Sequence, residues 1–123
     1  MILADTSVWI DHLRLGDERL TALLDQKSVL MHPFVLGELA VGNLRPRNAM
    51  LSLLRALPSC ELAKHDEVLG FIEQNKLYGV GVGYVDAHLI VSVGLTRDAA
   101  LWSRDVRLHR AAAGLGLAVH LTH

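Results

Sequence analysis

The chain has 123 residues, 51% of them apolar, a mean hydropathy of +0.31 and a formal net charge of −1. That length points to one domain, and the near-neutral charge excludes a global pull on nucleic acid, so any such role needs local basic groups or metal ions. The lone cysteine, Cys60, excludes an intrachain disulfide and fits a reducing, cytoplasmic setting, and no stretch free of Asp, Glu, Lys and Arg reaches the ~18–20 residues that a membrane helix needs.

Residues 1–5 read as a short buried strand that ends on Asp5, with Thr6 or Ser7 as the cap of the helix that follows. A second helical pattern starts at Asp17 and carries Leu20, Leu23 and Leu24. Residues 28–32 look like a strand, and Pro33 suits the first turn of a helix running to residue 43. Pro46 opens another helix, which Pro58 ends. Residues 60–63 form a candidate third strand, 65–78 an amphipathic helix, and Gly79, Gly81 and Gly83 a loop. An apolar helix over 84–93, a strand over 99–103, a helix over 105–115 and a last strand over 118–121 complete the order. Short apolar strands alternating with helices predict an α/β fold with a parallel sheet covered on both faces. So apolar a chain of this size is expected to leave some apolar surface for a partner or a second copy. Asp5 interrupts the apolar start and no basic stretch precedes it, which argues against a secretory signal.

Three acids stand where charge is expensive. Asp5 is the only charged residue among positions 1–10, Glu38 the only one between Lys27 and Arg45, and Asp86 the only one between Lys76 and Arg97. Each falls in a segment that reads as buried or half-buried, where an unpaired carboxylate costs several kcal/mol. With no basic partner nearby in sequence, a shared divalent cation is the simplest compensation. Asp105 follows the 99–103 strand and belongs to the same carboxyl rim as Asp5, the place where parallel sheets bind ligands. Taken singly, each acid also has a purely structural reading: Asp5 or Asp105 as a helix cap, Glu38 paired with a distant arginine, Asp86 as a first-turn dipole residue. Together they suit a hard-oxygen Mg²⁺ or Mn²⁺ site, since no Cys–His spacing fits zinc. Such a site suits phosphoryl chemistry by a metal-activated water, with Ser7 and Ser103 holding water, phosphate or a carboxylate.

The motifs carry a resemblance. The opening Met-Ile-Leu-Ala-Asp-Thr-Ser-Val-Trp-Ile-Asp, Gly-Glu-Leu-Ala-Val-Gly-Asn around Glu38, Tyr-Val-Asp-Ala-His-Leu around Asp86 and Leu-Trp-Ser-Arg-Asp-Val-Arg-Leu around Asp105 together resemble the PIN-domain ribonucleases, and within them the VapC toxins of type II toxin–antitoxin pairs. The resemblance runs nearly end to end. It implies a single PIN domain over 1–123 with a five-stranded parallel sheet in a three-layer α/β/α arrangement. It implies a pocket in which Asp5, Glu38, Asp86 and Asp105 bind the metal and catalyse, with Thr6, Ser7 and Ser103 lining it. It further implies a homodimer that cleaves structured RNA (tRNA or rRNA) with Mg²⁺, or Mn²⁺ in its place, and a VapB-type antitoxin that wraps the toxin.

Arg104, Arg107 and Arg110 recur every three residues beside Asp105 and are candidates for RNA phosphates. Trp9 and Trp102 are expected to pack in the core rather than stack on bases. A non-catalytic alternative is an acidic-pocket module, either a receiver-like signalling domain or a PIN scaffold. Receivers pair their acids with a lysine near the last strand, and residues 118–123 hold none. The Gly79–Gly83 loop lacks the phosphate-loop lysine and the full dinucleotide pattern.

Overall fold

The computed structural model describes residues 1–119. Strand β1 (Ile2–Ala4) leads into α1 (Thr6–Leu15) and α2 (Glu18–Asp25); β2 (Val29–Leu30) leads into α3 (Pro33–Val41), α4 (Arg47–Arg55), α5 (His65–Asn75) and α6 (Tyr84–Leu95); β3 (Ala100–Trp102) precedes α7 (Val106–Gly114). The three strands form one parallel sheet in the order β2-β1-β3, with Leu3 level with Leu30 on one side and Leu101 on the other. Helices flank this small sheet in an α/β/α arrangement. Strand order reverses at β1, so a crevice opens at the carboxyl ends of β1 and β3.

Beyond the three strands, among the described residues, the sheet continues on each side as a single parallel bridge. Met31 pairs with Ser59 outside β2, and Leu101 pairs with Ala118 outside β3. The strand expected over 60–63 is therefore not formed. Pro58 has no N–H to donate, and the Glu61 amide leaves the ladder to donate to Thr96 Oγ1 at 2.8 Å. The last expected strand, 118–121, is represented by its Ala118 bridge, and residues 120 and 121 lie outside the described residues.

Helix starts follow local chemistry. Asp5, rather than Thr6 or Ser7, caps α1 through its carboxylate and the Val8 amide. Asp17 caps α2, and His32 caps α3 with its Nδ1 accepting from the Phe34 amide at 2.9 Å, ahead of Pro33 in the first turn. Helix α5 stops at Asn75 because Lys76 turns into the left-handed region, φ 53°.

The core is aliphatic. Leu3, Leu20, Leu89, Ile90, Leu101 and Leu108 are fully buried, each stabilising the fold by roughly 1.5–3 kcal/mol relative to exposure. Helix α6 is buried all along Ala87–Val93, so it sits inside the molecule with α5 against one side. Trp9 and Trp102 are both buried core residues, as their apolar contexts predict. Among the described residues no helix is long and apolar enough to cross a membrane.

Candidate active site

Asp5 lies at the end of β1 and is 5% exposed. Its carboxylate is the hub of a small network. Oδ1 accepts from Ser7 Oγ at 2.5 Å and from the Val8 amide at 3.2 Å, while Oδ2 accepts from Ser103 Oγ at 2.5 Å. Each serine hydroxyl also accepts from the backbone beyond β3: Ser7 Oγ from the Arg104 amide and Ser103 Oγ from the Asp105 amide, both at 3.0 Å. Two hydroxyls thus relay between one carboxylate and two amides and clamp the ends of β1 and β3 together. Ser7 and Ser103 are placed as positioning groups for Asp5. Thr6 opens α1 beside them, half-buried.

Asp105 caps α7, with Oδ1 accepting from the amides of Arg107 at 2.9 Å and Leu108 at 3.2 Å. Capping and rim placement are compatible, since only one oxygen is consumed. Asp86 sits in the first turn of α6, half-buried. Glu38 departs from the sequence expectation, because its side chain is exposed. The buried positions of α3 are Val35 and Leu39, one turn apart, and Glu38 falls on the open side. There it lines a cleft of about 440 Å³ together with Arg14, Leu39 and Met50.

The four acids meet electrostatically at Asp86. Burial raises its pKa above the ordinary carboxylate value, and the charges of Asp5, Asp105 and Glu38 raise it further, against a hydrogen bond from the Gly83 amide. Carboxylates from β1, α3, α6 and the start of α7 therefore share one field. The donor set is all hard oxygen, as a Mg²⁺-class ion prefers, with no thiol or imidazole among it. As the side chains stand, no three His, Cys, Asp or Glu groups among the described residues draw close enough to hold one ion. The spacing is that of an open, mutually repelling set rather than a closed shell.

Arg104 separates from the arginines with which the sequence groups it. It precedes α7 instead of lying on it, and its guanidinium is engaged by Asp11 (Nε to Oδ2, 3.1 Å) and by Asp17 Oδ2. It also lies over the Trp102 ring at 5.9 Å, with Arg19 at 5.5 Å. Burial would raise the Asp17 pKa, but the Leu20 and Arg19 amides and the charges of Arg19 and Arg104 outweigh it and hold it below the usual range.

Sequence reasoning missed a polar–aromatic chain beside Asp86. His65 Nδ1 meets the Tyr84 hydroxyl, which lies 2.8 Å from His88 Nε2, and His88 packs edge-on to Phe34 and His32. The available signal was Tyr84 and His88 at i, i+4 on one helix face. Burial, then the charges of neighbouring histidines, lowers the pKa of both: His32 to about 4 by burial and His88, and His88 by burial and His65. Both imidazoles are neutral at neutral pH and serve as packing and hydrogen-bonding groups.

A PIN domain family model matches residues 2–114. The chain is 47% identical over 119 residues to Ribonuclease VapC32 of Mycobacterium tuberculosis (strain CDC 1551 / Oshkosh), covering 97% of this chain and 96% of that protein. Ribonuclease VapC32 of strain ATCC 25618 / H37Rv matches to the same extent, 47% over 119 residues.

Proposed function

Since the chain belongs to the PIN-domain family, we propose that it is a metal-dependent endoribonuclease and the toxin of a toxin–antitoxin pair, hydrolysing RNA phosphodiesters. The observation that carries this reading is the field at Asp86, a half-buried carboxylate on which the charges of Asp5, Asp105 and Glu38 from separate elements all act. Such a cluster is electrostatically costly unless a cation enters it.

Asp5, Glu38, Asp86 and Asp105 would hold Mg²⁺, or Mn²⁺ in its place. When bound, the ion supplies a water of lowered pKa and neutralises charge building on the phosphate oxygens. The chain's own residues do the rest. Ser7 and Ser103 fix both oxygens of Asp5, so this carboxylate faces the crevice in one orientation. Asp105 is held by the first amides of α7, whose N-terminal dipole also favours a phosphate beside it. Glu38, on the exposed side of α3, is the member free to swing toward or away from the group.

The rest of the proposal extends the family resemblance. Structured RNA such as tRNA or rRNA is the substrate class, and a VapB-type antitoxin is the partner. The protein is a cytoplasmic homodimer of single PIN domains, whose exposed Leu15, Val41 and Leu53 supply apolar contact surface. A five-stranded PIN sheet would add its outer strands beside the isolated bridges at Ser59 and Ala118, which support that reading.

The test is incubation of the purified protein with total RNA, followed by mapping of new 5′ ends. Discrete cleavage is expected with Mg²⁺ or Mn²⁺, with none in EDTA and recovery when metal is restored. Cleavage that persists in excess chelator, or an inert protein at every metal concentration, overturns the reading and leaves a non-catalytic acidic module.

A further inference from the structure

A second cleft, of about 310 Å³, lies between the end of α5, the glycine loop and α7. Three cations line it, Lys76, Arg107 and Arg110, and no acid does. In a chain of net charge −1 this is a local concentration of positive charge. Among the described residues no carboxylate forms an ion pair with any of the three, whereas Arg104 is held by Asp11 and Asp17. Leu77, Val80 and Leu115 add apolar lining.

The glycine loop beside the cleft packs against one of these arginines. Gly81 has φ +83°, and a Cβ there would stand 2.5 Å from Arg107 Cδ and 3.1 Å from its Nε. The loop backbone therefore lies against the Arg107 side chain, in a positive-φ conformation that favours glycine. Arg107 and Arg110 are three residues apart and so share one helix face. Asp105 caps the same helix, so Arg110 lies about 7.5 Å further along the helix axis than Asp105, at 1.5 Å per residue.

We propose that this cleft is a binding subsite for the RNA sugar–phosphate backbone, with Lys76, Arg107 and Arg110 contacting phosphates of the strand that enters the acidic crevice. The choice of ligand rests on the ribonuclease reading above. Two guanidiniums and an ammonium beside apolar lining match a strand that offers phosphates and sugar faces in alternation. Arg104 is not part of the subsite.

The test measures binding of a fluorescein-labelled single-stranded RNA of about a dozen nucleotides by anisotropy, in EDTA so that no cleavage is required, as salt rises from about 50 to 200 mM. The R107Q/R110Q double variant should bind roughly tenfold or more weakly, and the slope of log K against log salt should shrink by about 1.4, at about 0.7 per lost phosphate contact. R97Q removes one exposed charge at the opposite end of β3 and should change neither affinity nor slope. Equal melting temperatures confirm that both variants are folded. Affinity and slope in R107Q/R110Q matching those of R97Q overturn the subsite, as does a wild-type protein that binds polyglutamate but not RNA, which would assign the cleft to an acidic polypeptide. The two readings fail separately. RNA binding lost in R107Q/R110Q, with no cleavage by wild type in Mn²⁺, keeps the subsite and removes the nuclease. Metal-dependent cleavage with unchanged binding in the double variant does the reverse.

Discussion

Two groups of carboxylates lie on either side of Arg104 and have opposite electrostatics. Asp11 and Asp17 face the Arg104 guanidinium, and the pKa of Asp17 is held down. Asp86 faces Asp5, Asp105 and Glu38, and its pKa is pushed up. Arg104 borders both groups, since its side chain serves the first while its amide donates to Ser7 Oγ in the network of the second. The same residue type at neighbouring places is thus stabilising where it is given a cation by the protein, and destabilising where the protein withholds one. Under the proposed function, a bound cation would supply what the chain does not. Paired acids hold α1, α2 and the β3–α7 turn together, whereas unpaired acids are available for chemistry.

The most severe test is Asp86→Asn. Removing the member on which the other three charges act should lower metal-dependent RNA cleavage by about 10² or more while leaving the circular-dichroism spectrum unchanged. The metal-free protein should melt higher by roughly a few degrees, because one repulsive charge is gone. Gained stability with lost activity is the signature of an acid held for function. A lower melting temperature in EDTA would place Asp86 among the structural acids and erase the contrast.

Arg104→Met, the complementary change, keeps much of the apolar stem over Trp102 and removes the charge. It leaves Asp17, whose side chain is 10% exposed, without its closest cation. A loss of about 1 kcal/mol or less is expected in urea unfolding, because Asp17 keeps the Arg19 and Leu20 amides and the Arg19 charge and the Arg104 side chain is partly solvated. Affinity for a short single-stranded RNA should change little, in contrast to R107Q/R110Q. A variant that unfolds like wild type but binds RNA poorly would return Arg104 to the substrate-binding arginines.

The contrast between the two groups was only partly visible in sequence. Isolation of Asp5 and Asp86 among apolar residues was legible, because their neighbours must be buried whatever the fold. Exposure of Glu38 was not, since it depends on which face α3 turns outward, and α3 is apolar on most sides. Order of elements was legible from periodicity and from Pro33, Pro46 and Pro58, while the missing strand at 60–63 depends on one amide choosing Thr96 over the ladder. The pairing of Arg104 with Asp11 and Asp17 was hidden because those partners lie 93 and 87 residues away, and spacing along the chain suggested a stripe with Arg107 and Arg110. Lys76 joins Arg107 and Arg110 for the same reason: only the packing of α5's end against α7 brings them to one cleft.

The smallest effect lies in the pH dependence, where the two groups should pull in opposite directions. Asp17 has a lowered folded pKa, so its contribution to stability is present above its unfolded value of 3.8 and is lost as pH falls through the folded value. Asp86 has a raised folded pKa, so the folded chain holds that proton longer than the unfolded one, and stability declines as pH climbs from 3.8 through the folded value. Urea unfolding in EDTA between about pH 3 and 7 separates the two. Asp17→Asn keeps a competent cap and removes only the charge, so it should flatten the acid-side loss. Asp86→Asn should flatten the decline toward neutrality and leave the acid side alone. If both substitutions altered the same limb of the curve, the two groups would be one coupled cluster, and Arg104 would be compensating the crevice as well as the clamp.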